Sequence, residues 1–141
     1  MTELCEVVIT APDPDWLLSL TRDLVAKGLC ASVHNFSPVR SIYRWRGEIY
    51  ERTEGRASLH TRMSLVSAIV EHVKETHPYE VPGISARPIV SGNPDYLKWI
   101  ADETSPIAQD HQDQPRLGGK SLGLPDCMKK DGMCPNVAAA L

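Results

Sequence analysis

Between Ala31 and Arg62 the hydrophobic positions, many of them β-branched or aromatic, climb to Ser41-Ile42-Tyr43-Arg44-Trp45, turn at Arg46-Gly47 and return through Glu48-Ile49-Tyr50 to Thr61. The pattern predicts one long β-hairpin, with Gly47 supplying the positive φ of a tight turn. If Trp45 faces Glu48, Tyr43 faces Tyr50, an aromatic cross-strand pair that pins the register. Each arm then spans about 15 residues, against the usual 3 to 10 of a strand. Such arms overhang a small domain, and a second copy of the chain is the natural cover for their unpaired backbone groups. A homo-oligomer is therefore expected, with Tyr43, Trp45 and Tyr50 at its interface.

Counting outward from the turn exposes a conflict. In uniform register Val33 faces His60 while Leu59 points to the other side, so the apolar residues of the two arms disagree. One extra residue at Ser37-Pro38 or Gly55 repairs it, placing Val33, Ala57 and Leu59 on one face and His34 with His60 on the other. A β-bulge is predicted there.

The remaining pattern is short and alternates strand with helix. Glu6-Val7-Val8-Ile9-Thr10 is a continuous run that suits a central strand buried on both faces. Asp13 caps a helix with Pro14 in its first turn and Leu17, Leu20 and Leu24 on one side, and Gly28 ends it. Ser64 is read as the cap of a second helix with an apolar face of Leu65, Ile69 and Val73, stopped at Pro78. Ile84 to Val90, with Pro88 inside it, reads as an edge strand, and Asn93-Pro94 opens a third helix carrying Tyr96, Trp99 and Ile100. The order predicts an α+β fold, a ferredoxin-like split βαβ sandwich with a long central hairpin, helices on one face of an antiparallel sheet and the other face left open. A trimer or dimer would bury that open face.

From Pro106 the periodicity stops: the segment Gln109 to Pro115 and the glycines Gly118, Gly119 and Gly123 carry no apolar face. Residues 1–105 are expected to form the domain and 106–141 a flexible Gly/Pro-containing tail. With 141 residues, 42% hydrophobic and 23% charged, the chain has enough apolar material for one core. A net charge of -3 offers no polyanion signature, so nucleic acid is not an expected partner despite the local group Arg40, Arg44 and Arg46. No apolar run approaches a membrane span, and the start lacks a signal-peptide pattern, which makes the cytoplasm the expected compartment. Cys5 and Cys30 fall in strand contexts and Cys127 and Cys134 in the tail, a distribution that reads as reduced thiols. The seven-residue spacing of the tail pair is not that of a zinc knuckle.

Two places could carry chemistry. Thr76-His77-Pro78-Tyr79-Glu80-Val81-Pro82-Gly83 holds imidazole, phenol and carboxylate between two prolines at a helix end. The residues alone favour a packing role, His77 complementing the helix C-terminus and Tyr79 anchoring the loop. His34 and His60 are the second place, two imidazoles able to meet a transition metal but lacking an evident third ligand. There is no nucleophile elbow, phosphate loop or His-Glu-x-x-His, so the chain does not read as an enzyme.

Six stretches, Val8 to Asp13, Ala31-Ser32-Val33, Ser41 to Ile49, Thr61-Arg62, His77 to Pro82 and Gly92 to Trp99, resemble the CutA divalent-cation-tolerance family in order and spacing across residues 5–104. The resemblance implies a ferredoxin-like homotrimer with the hairpin packed between subunits, and a role in tolerance to copper and other divalent cations. It implies a copper site made by a first-strand cysteine and a double histidine before Pro-Tyr; here Ile9 and Thr76 stand at two of these positions and His77 remains. His60 stands where a lysine is usual and His34 where an asparagine is common, which gives this chain a substitute soft-metal surface. Kinship with the PII-type signalling trimers gives an alternative, a regulatory trimer binding a small anionic or nucleotide ligand in an inter-subunit cleft lined by Arg62, Tyr79 and Glu80. A structural trimer that scaffolds a partner through its tail is the third reading.

Overall fold

The computed structural model describes residues 3–104, and the expected tail at 106–141, with Cys127 and Cys134, lies outside them. Eight elements follow in order: β1 (Leu4–Ala11), α1 (Pro14–Ala26), β2 (Ser32–Trp45), β3 (Glu48–Arg62), a 3-10 turn (Met63–Leu65), α2 (Val66–Thr76), β4 (Ile84–Pro88) and α3 (Pro94–Glu103). The strands form one sheet in the order β2-β3-β1-β4, every pair antiparallel. The described residues form a mixed α+β fold with three α-helices.

Local chemistry sets most of the boundaries. Asp13 accepts the Asp15 N–H and Asn93 the Asp95 N–H, each ahead of a proline in the first helical turn. Gly28, at φ 71, closes α1 in the left-handed region. Ser64 does not cap α2: it sits inside the 3-10 turn, and α2 begins at Val66 with no side-chain cap. The extended residue ahead of the turn is Arg62, and Leu65, which precedes α2, is already in the right-handed helical region, so no serine hydroxyl stands where it could reach the second or third helical N–H.

The hairpin has arms of 14 and 15 residues. Arg46 and Gly47 both have positive φ, 48 and 82, the requirement of a two-residue type I′ turn. Trp45 pairs with Glu48 and Tyr43 with Tyr50, whose rings stack at 5.7 Å. The register shifts between Phe36 and Val39, where Ser37 and Pro38 oppose the single residue Gly55, so the bulge uses both of the expected positions. Gly55 is also a close approach: a Cβ there would stand 3.0 Å from the Pro14 Cα. The start of α1 therefore lies directly on the bulge.

Cys5, Val7, Ile9 and Ala11 of β1 point with Ala57 and Leu59 into the core against Leu17, Leu20 and Leu24 of α1 and Ile69 and Val73 of α2. The expectation that all helices share this face needs correction. Leu4, Ala31 and Ile100 form a second buried cluster, and α3 lies across the opposite face of the sheet near the end of β3. Arg62 fixes it there, donating from Nε and Nη2 to the Ala101 carbonyl at 3.2 and 2.6 Å. Helix amphipathicity predicts that Ile100 is buried, but not against which side of the sheet. The rest of that face carries no helix among the described residues.

Candidate functional site

His77 ends α2 and is the most enclosed of the candidate ligands, at 1% exposure. Its Nε2 lies 2.9 Å from the Thr10 carbonyl oxygen, which can only accept, and its Nδ1 receives the Tyr79 backbone N–H at 3.0 Å. Those two partners fix the neutral Nε2–H tautomer and occupy both nitrogens. The Trp16 ring meets the imidazole edge-on at 5.2 Å. His77 thus ties β1, α1 and the loop together, and in this arrangement it has no lone pair to give a metal.

The loop that His77 anchors closes one side of a cleft of about 290 Å³ lined by Thr10, Ser41, Tyr43, Trp45, Glu54, Tyr79, Glu80, Val81 and Gly83. Glu54 is 3% exposed and accepts the Tyr79 hydroxyl at 2.8 Å. Burial, and then the neighbouring carboxylate, push the Tyr79 phenol well above the ordinary tyrosine range. At the rim Glu80 pairs with Arg46 at 2.8 Å, and that guanidinium also stands 5.3 Å from the Trp45 ring centre. Trp45 Nε1 is buried without a hydrogen-bond partner among the described residues.

Within one chain Tyr79 and Glu80 line this cleft and Arg62 does not; the cleft expected to hold all three is one between subunits. Arg62 pairs with Leu4 at the far end of β1 from Thr10, on the order of 20 Å along the strand, and is committed to α3. The cleft wall holds two carboxylates and no lysine or arginine. The cation at its rim, Arg46, is already paired with Glu80.

His34 and His60 meet on the other face of the sheet, their ring centres 6.2 Å apart and nearly perpendicular. His34 pairs with Ser58 and His60 with Ser32, so the two imidazoles are diagonal neighbours across the hairpin. His60 Nε2 lies 3.1 Å from the Glu6 carboxylate of β1, and Nδ1 lies 2.6 Å from the Tyr96 hydroxyl of α3. The His60 hydrogen bond is the main cause that holds the Glu6 carboxyl below its usual value, helped by Ser58 and the charge of Arg87. Tyr96 stacks on Trp99 at 5.8 Å, and its hydroxyl is 3.4 Å from Ser32 Oγ.

Sequence reasoning missed Glu54, Glu6 and Tyr96. Tyr96 read as one more apolar position of α3, and Glu6 as part of an apolar run. Their roles come from the pairing of β1 with β3 and from α3 crossing the sheet, neither of which leaves a local signal.

A family model described as CutA1 divalent ion tolerance protein matches residues 5–103. The chain belongs to the CutA1 divalent ion tolerance family. It is 40% identical over 99 residues to the protein CutA homolog of Xenopus laevis, covering 70% of this chain and 66% of that one. It thus spans less than two thirds of that relative's length. With the divalent-cation tolerance protein CutA of Thermus thermophilus it shares 38% identity over 98 residues, covering 70% and 95% of the two chains. The structure of the periplasmic divalent cation tolerance protein CutA from Archaeoglobus fulgidus superposes with a TM-score of 0.70 at 31% identity, covering 72% of this chain and 99% of that one. None of these names is that of an enzyme.

For a CutA1 chain, the test of a metal is whether its own donors fit one. Among the described residues no three His, Cys, Asp or Glu side chains converge as a metal-binding group. Cys5 and Cys30 are buried free thiols, and burial pushes Cys30 up to about 12, far from the thiolate that a metal needs. Of the expected ligands His34 and His60 lie beside each other, two imidazoles without a third donor of these types among the described residues.

Proposed function

We propose that the chain is a cytoplasmic divalent-cation tolerance protein, a ferredoxin-like homotrimer that meets copper and related ions at the open face of its sheet. The observation that carries this reading is the contact of His34 with His60 on that face, where imidazoles reach solvent. Family membership supports the tolerance role, and the sheet order β2-β3-β1-β4 with its helical crossovers supports the ferredoxin-like description. Self-association is supported by the hairpin. β2 is an edge strand, and Ile42 and Ile49, neighbours on one face of the ladder, are 69% and 52% exposed. On the opposite face of the same hairpin the buried Trp45 N–H, without a partner among the described residues, is a donor that a second copy can satisfy.

Calorimetric titration of the purified oligomer with copper(II) and zinc(II) tests the metal reading. Saturable binding that the His34→Ala/His60→Ala double variant abolishes and His77→Ala leaves intact is the expected result; binding lost with His77 alone overturns the placement. Light scattering on a sizing column tests the assembly. Three chains per particle for the wild type and fewer for Ile42→Asp/Ile49→Asp are expected, and a wild-type monomer rules the assembly out.

A further inference from the structure

The cleft between the hairpin and the loop after α2 selects an occupant by its lining. Tyr43, Trp45 and Tyr79 bring aromatic rings to its wall, and Glu54 and Glu80 bring carboxylates. We infer that it binds an alkylguanidinium group, with the Glu54 carboxylate as counter-charge and the aromatic rings around the stem. Such a site stands apart from the metal reading, and its ligand is opposite in charge to the anionic or nucleotide one expected between subunits.

The selection comes from Glu54. It is 3% exposed, and among the described residues it accepts the Tyr79 hydroxyl at 2.8 Å and enters no salt bridge. Burial pushes the Tyr79 phenol up, so at neutral pH it stays protonated and satisfies one carboxylate oxygen without cancelling the charge. A carboxylate so enclosed gains most from a cation that reaches it directly. Arg52 and Arg56 flank Glu54 on the same face of β3, but neither lines the cleft. Arg52 donates from Nε to the Tyr43 hydroxyl at 2.9 Å and sets its guanidinium 5.6 Å from the Tyr50 ring centre. These two charges weaken the pull of Glu54 at long range, so selection rests on contact inside the cleft, and a modest affinity follows.

The rim shows which cation the wall suits. Arg46 meets Glu80 at 2.8 Å with its guanidinium 5.3 Å from the Trp45 ring centre, a flat cation between a carboxylate and an indole. That pair is loose, since the two side chains are 68% and 49% exposed and water screens them. A guanidinium that enters deeper meets the same kinds of partner with less water around them, at Glu54 in place of Glu80. The volume of about 290 Å³ is at the low end for ligand pockets and suits a small group of this kind.

The test titrates the full-length protein, assembled as purified, with ethylguanidinium chloride and with its neutral isostere ethylurea, read by NMR at the backbone N–H groups of Thr10, Ser41 and Gly83 in the cleft wall. Saturable shifts with a dissociation constant on the order of 1 mM are expected for the cation, and binding at least roughly tenfold weaker for ethylurea. Glu54→Gln should weaken ethylguanidinium binding at least roughly tenfold. Arg46→Ala, which removes an exposed like charge and leaves the fold alone, should strengthen it about two- to fivefold. An unchanged particle on a sizing column during the titration assigns the group to a free small molecule, and dissociation assigns it to an arginine side chain of a second copy. Equal binding of ethylurea, binding unmoved by Glu54→Gln or weakened by Arg46→Ala, or no saturable shift overturns the inference and leaves the metal reading of His34 and His60 in place.

Discussion

His77 and His60 both have each ring nitrogen engaged, yet they belong to opposite kinds of site. The partners of His77 are main-chain groups, the Thr10 carbonyl and the Tyr79 N–H, in a place closed to solvent. Those of His60 are the side chains of Glu6 and Tyr96 on a half-exposed face. A backbone partner cannot ionise, exchange its proton for a metal, or rotate away, so His77 is an architectural knot. Side-chain partners can do all three. What a histidine can do is therefore set by who holds its two nitrogens, more than by its place in a motif.

The largest expected effect breaks the knot. His77→Ala leaves the Thr10 carbonyl and the Tyr79 N–H unsatisfied and opens a cavity beside Trp16. A loss of about 3 kcal/mol in urea unfolding is expected, with copper affinity unchanged. A fully stable variant that has lost copper binding would reverse the roles assigned to the two histidines.

Next in size is the carboxylate that the same loop covers. Tyr79→Phe removes the hydroxyl that donates to Glu54, a nearly inaccessible group, and keeps the ring. A hydrogen bond to a buried charged partner is worth about 1.5 to 3 kcal/mol, so a loss near 2 kcal/mol is expected in the same measurement. Tyr79→Phe/Glu54→Gln should recover part of it, since the neutral amide costs less to leave without the phenol. A loss in the double variant equal to the sum of the separate Tyr79→Phe and Glu54→Gln losses would show that the pair is not coupled.

How much of this was legible in the sequence divides along the same line. The Asp13-Pro14 and Asn93-Pro94 helix starts, the turn at Arg46-Gly47 and the Tyr43–Tyr50 pair are decided by residues adjacent in sequence or related by one turn. The bulge was legible too, because only a slip at Ser37-Pro38 or Gly55 lets Val33 and Leu59 share a face. What local pattern could not supply is the order of strands and the side on which α3 packs. Arg62 was expected with Tyr79 in a cleft between subunits, whereas within the chain it is held by α3, and Tyr96 was read only as part of one helix face, when its hydroxyl reaches His60. The bland reading of His77, that of a helix-end packing residue, describes its surroundings well; its two hydrogen bonds depend on β1 lying alongside, which no helix signal reveals.

The smallest effect sharpens the His60 side of the comparison. Glu6 is held below the usual carboxyl value first of all by its hydrogen bond to His60, so the folded state binds its proton less readily than the unfolded chain does. The stabilisation is then fully present above the unfolded pKa and is lost as the pH falls through the lower folded value. Glu6→Gln should therefore be less stable than the wild type at pH 7, and the gap should close in the acid range below about pH 4.5. The gap will be small, because the Glu6 side chain is 36% exposed and water screens the pair. A His60→Asn background separates cause from coincidence. If His60 is the main partner, the pH-dependent part of the gap shrinks there; if it persists in full, Ser58 and Arg87 hold the carboxylate instead, and His60 is free of Glu6 in solution.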